Sequence, residues 1–124
     1  MSPKHLITLK SVRLTDWSNS DTATFLMERE HHKLDLAIIE KVVNQLKLPL
    51  EEMGAYQYGT YLHLTTRYSK EPVVYNRNHE KSSTYILSND SVVDAELELT
   101  GDHYLGRIDV KIISLRFVRK YLTD

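Results

Sequence analysis

The chain has 124 residues, 41% of them hydrophobic and 27% charged, with sixteen basic against seventeen acidic side chains and a formal net charge of −1. That is the composition of one globular domain, spanning 1–124, large enough to bury a core without staples. There is no cysteine, which excludes a disulfide framework, a thiolate metal site and a cysteine nucleophile, and the near-neutral balance excludes a global field drawing the protein onto nucleic acid or an anionic membrane. No stretch reaches the ~20 apolar residues of a membrane span, and the first residues lack a secretory apolar run, so a cytoplasmic protein is expected.

Residues 5–14 (HLITLKSVRL) alternate Leu6, Thr8 and Lys10 with Ile7 and Leu9, then place Val12 and Leu14 after a break at Ser11. This predicts a first strand with a bulge. Thr15 to Thr22 is a polar, turn-forming run that holds Trp17, the only tryptophan. Such a ring either folds back over the core or faces a partner from its loop. Residues 23–29 place Ala23, Phe25 and Met27 on one face of a second strand, a reading favoured over a helix start because a helical projection separates Phe25 from Met27. From Leu34 to Leu48 the period changes. Leu36, Ile39, Val42, Val43 and Leu46 share one arc, with polar residues opposite, which predicts an amphipathic helix capped at Asp35 or just before it and stopped by Pro49.

Residues 55–68 (AYQYGTYLHLTTRY) read as one long strand, with Tyr56, Tyr58 and Leu62 on one side, Tyr61, His63 and Arg67 on the other, and Gly59 as a bend or bulge. Val73 to Tyr75 is a short strand, Asn76 to Ser83 an exposed loop, and Thr84 to Leu87 another short strand. The clearest signal is the hairpin from Val92 onward. A turn at Gly101-Asp102 sets Val93, Ala95, Leu97 and Leu99 against Val110, Ile108, Gly106 and Tyr104 on an apolar face, and Glu96 against Arg107 on the other. The last strand is expected to end near Val118 and pass into a short helical or frayed end. The sum is an α+β domain: an antiparallel β-sheet of about five to seven strands packed against one main amphipathic helix.

The six histidines do not read as a metal site. His31 and His32 are adjacent, the others are scattered, and no HExxH or i,i+4 pair occurs. His63-Leu64-Thr65 matches half of a two-histidine phosphoesterase pattern, but the nearest second half, His5 to Thr8, is one residue too long and splits across a strand. The sequence therefore leans away from catalysis and implies no cofactor. All eight tyrosines lie from Tyr56 onward, so amphipathic aromatic surface gathers on the later sheet. The first reading is a non-enzymatic binding protein that recognises a protein or a small anionic ligand, with Arg67, Arg77, Asn76, Tyr61 and Trp17 as candidate contacts. Its open sheet edges suggest a homo-oligomer. The second reading is a small β-barrel-like domain for single-stranded nucleic acid, in which Arg116, Arg119, Lys120 and Tyr104 track phosphates and stack bases.

Overall fold

The computed structural model describes residues 4–17, 22–67 and 72–121, the side chains of Thr22, Tyr58, Thr66 and Arg67 excepted. In chain order the elements are β1 (Lys4–Trp17), β2 (Thr22–Glu28), α1 (Lys33–Leu46), a 3-10 turn at Leu50–Met53, β3 (Ala55–Tyr58), β4 (Tyr61–Arg67), β5 (Val73–Tyr75), β6 (Lys81–Ser82), a second 3-10 turn at Thr84–Ile86, β7 (Ser91–Asp102) and β8 (Arg107–Lys120). The strands form one sheet of eight in the order β3-β4-β2-β1-β7-β8-β5-β6. Every neighbouring pair is antiparallel except β5 with β8. The class is the expected α+β, with one helix and more strands than anticipated. No helix among the described residues is long and apolar enough to cross a membrane.

β4 lies beside β2 near one edge of the sheet, while the following strand, β5, lies beside β8 near the other, and β4 itself reaches β8. The sheet therefore curls around its apolar side. That side collects Leu9, Leu14, Phe25, Met27, Leu62, Leu64, Leu97 and Leu99, all essentially inaccessible. Into it α1 inserts Leu36, Ile39, Val42, Val43 and Leu46, the stripe that its sequence period required. Asp35 is not the cap. His32 holds that position without a side-chain cap bond, and Asp35 lies buried in the first turn, its Oδ2 accepting from the Lys10 amide at 3.3 Å. Lys47 closes the other end in a left-handed conformation, and Pro49 prevents continuation.

Four local readings change. Residues 55–67 are not one strand: Gly59, at φ +61°, opens a two-residue turn that folds β3 back on β4, pairing Tyr58 with Tyr61 and Tyr56 with His63. A positive φ at the first turn position alone matches the primed turns that suit strand twist. Thr84–Ile86 is a 3-10 turn rather than a strand, and its first amides are met by the Ser83 hydroxyl, which accepts from Tyr85 N.

The β7-β8 turn sits further along the chain than Gly101-Asp102. Asp102 faces Arg107, and the turn is His103 to Gly106. Gly106 supplies the left-handed residue, φ +67°, and Asp102 Oδ1 accepts from the Leu105 amide. Gly101 instead stays in the strand beneath Leu46, where a Cβ would stand 3.1 Å from Leu46 Cδ2, closer than an ordinary contact. The glycine leaves room for close helix packing and makes no turn. In consequence Glu96 faces Ser114 and not Arg107, which pairs with Asp109 at 3.0 Å. The inward set Val93, Ala95, Leu97 and Leu99 is buried as expected, because alternation within a strand does not depend on where the turn falls. β8 also continues past Val118 to Lys120, since Ser91 and Val92 still offer it a partner strand.

Candidate functional site

The bulge at Ser11 sets the geometry of the outer face. Ser11 holds φ +52°, a left-handed conformation costly for a residue with a Cβ. Three side chains hold it there. Asp94 Oδ1 accepts from the Ser11 amide at 2.8 Å, His32 Nε2 donates to the Ser11 carbonyl at 3.2 Å, and Asp35 takes the neighbouring Lys10 amide. Past the bulge the alternation resumes one step out of phase, so Val12 and Leu14 turn inward and Arg13 outward. Arg13 then stands in a row of cross-strand neighbours that crosses six strands: Tyr56, His63, Leu26, Arg13, Val92 and Arg119.

Between this face and the first turn of α1 lies a cleft of about 660 Å³. Tyr61 and Tyr121 bring aromatic rings to it, and Arg13, Arg119, Lys10 and Lys33 bring charge. The Arg13 guanidinium lies 4.1 Å from the Tyr121 ring centroid while binding Asp90 Oδ1 at 2.7 and 2.8 Å, so the two side chains form one rigid plate. Arg119 Nη1 donates to the Lys120 and Tyr121 carbonyls at 3.3 and 3.2 Å, which fixes the guanidinium at the end of β8. The acids of the cleft have local partners: Glu28 meets His31 at 3.0 Å, Glu30 meets Lys33 at 3.3 Å, and Asp35 serves the bulge. Tyr61 is 39% exposed and Tyr56, further along the row, 50%. Exposed rings beside fixed cations can stack planar groups and hold anions between them.

Of the sequence-derived candidates, Tyr61 and Arg119 come together here. The others do not join them. Arg116 is committed elsewhere, its Nε and Nη2 donating to Asp94 Oδ2 at 3.2 and 2.6 Å and its Nη1 to the Arg77 carbonyl. Burial raises the Asp94 pKa, but the Ser11 amide, the bond and charge of Arg116 and the charge of Lys10 outweigh that and leave it below its ordinary value. Arg77 lies over the Phe117 ring at 5.2 Å, and Asn76 Oδ1 accepts from the Asn78 and Glu80 amides, so it builds its own loop. Trp17 packs against the core and its amide donates to Asn89 Oδ1, the lid reading rather than the display reading. Lys120 is exposed at the end of β8. Tyr104 is 95% exposed at the β7-β8 tip, at the opposite end of that hairpin from Arg119. The side chain of Arg67 lies outside the described residues.

His63 and Thr65 share the outer face, and Thr65 Oγ1 lies 3.1 Å from Thr24 Oγ1. His5 pairs with Leu99 on the inward phase of β1, with Ile7 and Leu9. The two histidines therefore do not face each other, and the two-histidine arrangement is not assembled. The cleft residues that sequence reasoning missed are Arg13, Tyr121, Lys10 and the 31–33 turn. The break at Ser11 was the available signal for Arg13, because it dictates which side Arg13 takes.

No family model matches the chain, and no curated protein matches it. Among solved structures it is similar to the single-stranded DNA-binding protein from bacteriophage Enc34, with a TM-score of 0.77 at 14% identity over 94% of this chain and 82% of that one. The same phage protein in complex with single-stranded DNA gives 0.76 at 14% identity, over 93% and 86%. Its C-terminally truncated form gives 0.76 at 15% identity, over 93% and 86%. At these identities the likeness is one of fold: this chain is built on the same architecture as the Enc34 protein.

Proposed function

We propose that the protein binds single-stranded nucleic acid, DNA foremost, in the cleft on the outer face of β1, β2 and β4. The observation that carries this reading is the convergence of Tyr61 and Tyr121 with Arg13 and Arg119 in one cleft, from three separate parts of the chain: β1, β4 and the end of β8. Unpaired bases expose π-faces that a tyrosine ring stacks whatever the sequence, while guanidinium and ammonium groups hold the phosphates between them. A shared fold with a protein named for single-stranded DNA binding supports it, although a fold alone does not dictate function. The near-neutral net charge is no obstacle, because the cleft's acids have local partners and Arg119, bonded only to main-chain carbonyls among the described residues, keeps its charge for a ligand.

This reading takes precedence over a general protein-binding or small-anion role. Three of the residues proposed for the latter, Arg77, Asn76 and Trp17, serve the fold. Self-association is kept as a secondary proposal. The β3 edge, Ala55–Tyr58, carries no charge or proline to blunt it, and native mass spectrometry returning only monomer would remove it. The binding proposal is tested by fluorescence anisotropy of a labelled oligothymidine: Tyr61→Ala is expected to weaken binding by about 1–3 kcal/mol, and unchanged affinity would count against the cleft.

A further inference from the structure

A second, smaller groove lies on the outer face beyond the Ser11 bulge. Its volume is about 290 Å³, near the lower end of the ~300–1,000 Å³ range of small-molecule sites, which suits one base rather than several. Across its floor Thr8, Glu96 and Ser114 are cross-strand neighbours on β1, β7 and β8, so the carboxylate is flanked by two hydroxyls. Beside them run Asp94, Arg116 and Tyr75 on β7, β8 and β5. Tyr75 and His79 close one end and Lys10 the other. The loop that carries His79 is fixed, since the Asn76 carbonyl accepts from the His79 amide and Asn76 Oδ1 from the amides on either side of it.

The charges in this groove are not equivalent. Asp94 and Arg116 are spent on each other and on the bulge. Glu96 is exposed and, among the described residues, makes no hydrogen bond or ion pair. It is an open carboxylate with Lys10 and Arg116 across the same small space. A cationic ligand would meet those two charges. A neutral ligand with paired N–H donors would not.

We infer that this groove is a recognition site for a guanine base, with Glu96 as the discriminating acceptor. Guanine alone among the bases presents two adjacent N–H donors, N1 and the 2-amino group, which match the two oxygens of a carboxylate. Adenine, cytosine and thymine each place an acceptor beside their donor on that edge, which a carboxylate repels. Adjoining that edge, O6 and N7 of guanine form the acceptor pair that a lysine reads, and Lys10 lines the same groove. Tyr75, His79 and the planar Asp94–Arg116 pair offer faces for the ring to stack on. The guanine can belong to a strand leaving the first cleft, since Lys10 lines both spaces, or to a free nucleotide. Only the former source rests on the binding proposed above.

The test is a set of anisotropy titrations with three oligothymidines of about 15 nucleotides: one plain, one with a single central guanine, and one with hypoxanthine, which lacks the 2-amino group, at the same place. The guanine oligomer is expected to bind about tenfold more tightly than the hypoxanthine one. Glu96→Gln should abolish that difference and leave the plain oligomer and the thermal melt unchanged. Equal binding of the guanine and hypoxanthine oligomers by the unsubstituted protein, with the plain oligomer still bound, overturns the guanine site and leaves the first cleft standing. If no oligomer binds, titration with 5′-GMP and 5′-IMP decides. Preference for GMP that Glu96→Gln removes supports the site with a free nucleotide as its source, while equal or absent binding of both overturns it.

Discussion

Ser11 and Asp94 show how one strained residue is held in place. The left-handed turn of Ser11 persists because Asp94 takes its amide while Arg116 keeps Asp94 charged. A carboxylate with a depressed folded pKa contributes stability above its unfolded pKa and loses it as pH falls through the folded value. For Asp94 that contribution is complete above the ordinary value near 3.8 and fades below it. Asp94→Asn is therefore expected to cost about 1–3 kcal/mol at neutral pH, by leaving the half-buried Arg116 without its acceptor. The gap to the unsubstituted protein should narrow as pH falls from neutral to below the ordinary value near 3.8. Urea titrations at both ends of that range check it, and a gap independent of pH would place the strain relief elsewhere.

Among the elements, the glycines separate what was legible in the sequence from what was not. Alternation predicted the buried faces of β1, β2 and β7, and the period of α1 predicted its stripe, because each pattern is set by geometry within a few residues. Gly101 and Gly59 were assigned a turn and a bend, whereas the structure uses Gly59 for a turn and Gly101 for close packing under Leu46 and Leu48. A sequence shows that a side chain is missing but not which neighbour fills the space, since Leu46 arrives from a helix far earlier in the chain. Gly54 is a third case. It has φ +83°, and a Cβ there would overlap the Thr65 carbonyl oxygen of the adjacent strand. Gly54→Ala is expected to destabilise by at least about 2 kcal/mol in chemical denaturation. A loss below about 0.5 kcal/mol would mean that the β3-β4 edge moves freely.

At the scale of the whole molecule, the candidate cleft was legible only in parts. Tyr61 and Arg119 stood out by residue type, but nothing local in the sequence joins positions 13 and 61 to each other or to the 119–121 end of β8. They meet because a single curled sheet brings β1, β4 and β8 around one core. Arg116 looked equivalent to Arg119 in the sequence, and the β8 register separates them. Arg116 faces Asp94 and is neutralised, while Arg119 faces Val92 and lines the cleft. The two arginines therefore carry different expectations. Arg119→Ala should lower the slope of log affinity against log salt by about one phosphate contact, whereas Arg116→Ala should chiefly lower stability.

The most direct measurement is the salt dependence of binding to a labelled oligothymidine, compared between the unsubstituted protein, Tyr61→Ala and Arg119→Ala. The expected result is affinity that falls linearly on the log–log plot as salt rises, a shallower slope for Arg119→Ala, and a uniform weakening for Tyr61→Ala. No binding at low salt, or binding that neither substitution alters, would contradict the assignment of this cleft to single-stranded nucleic acid.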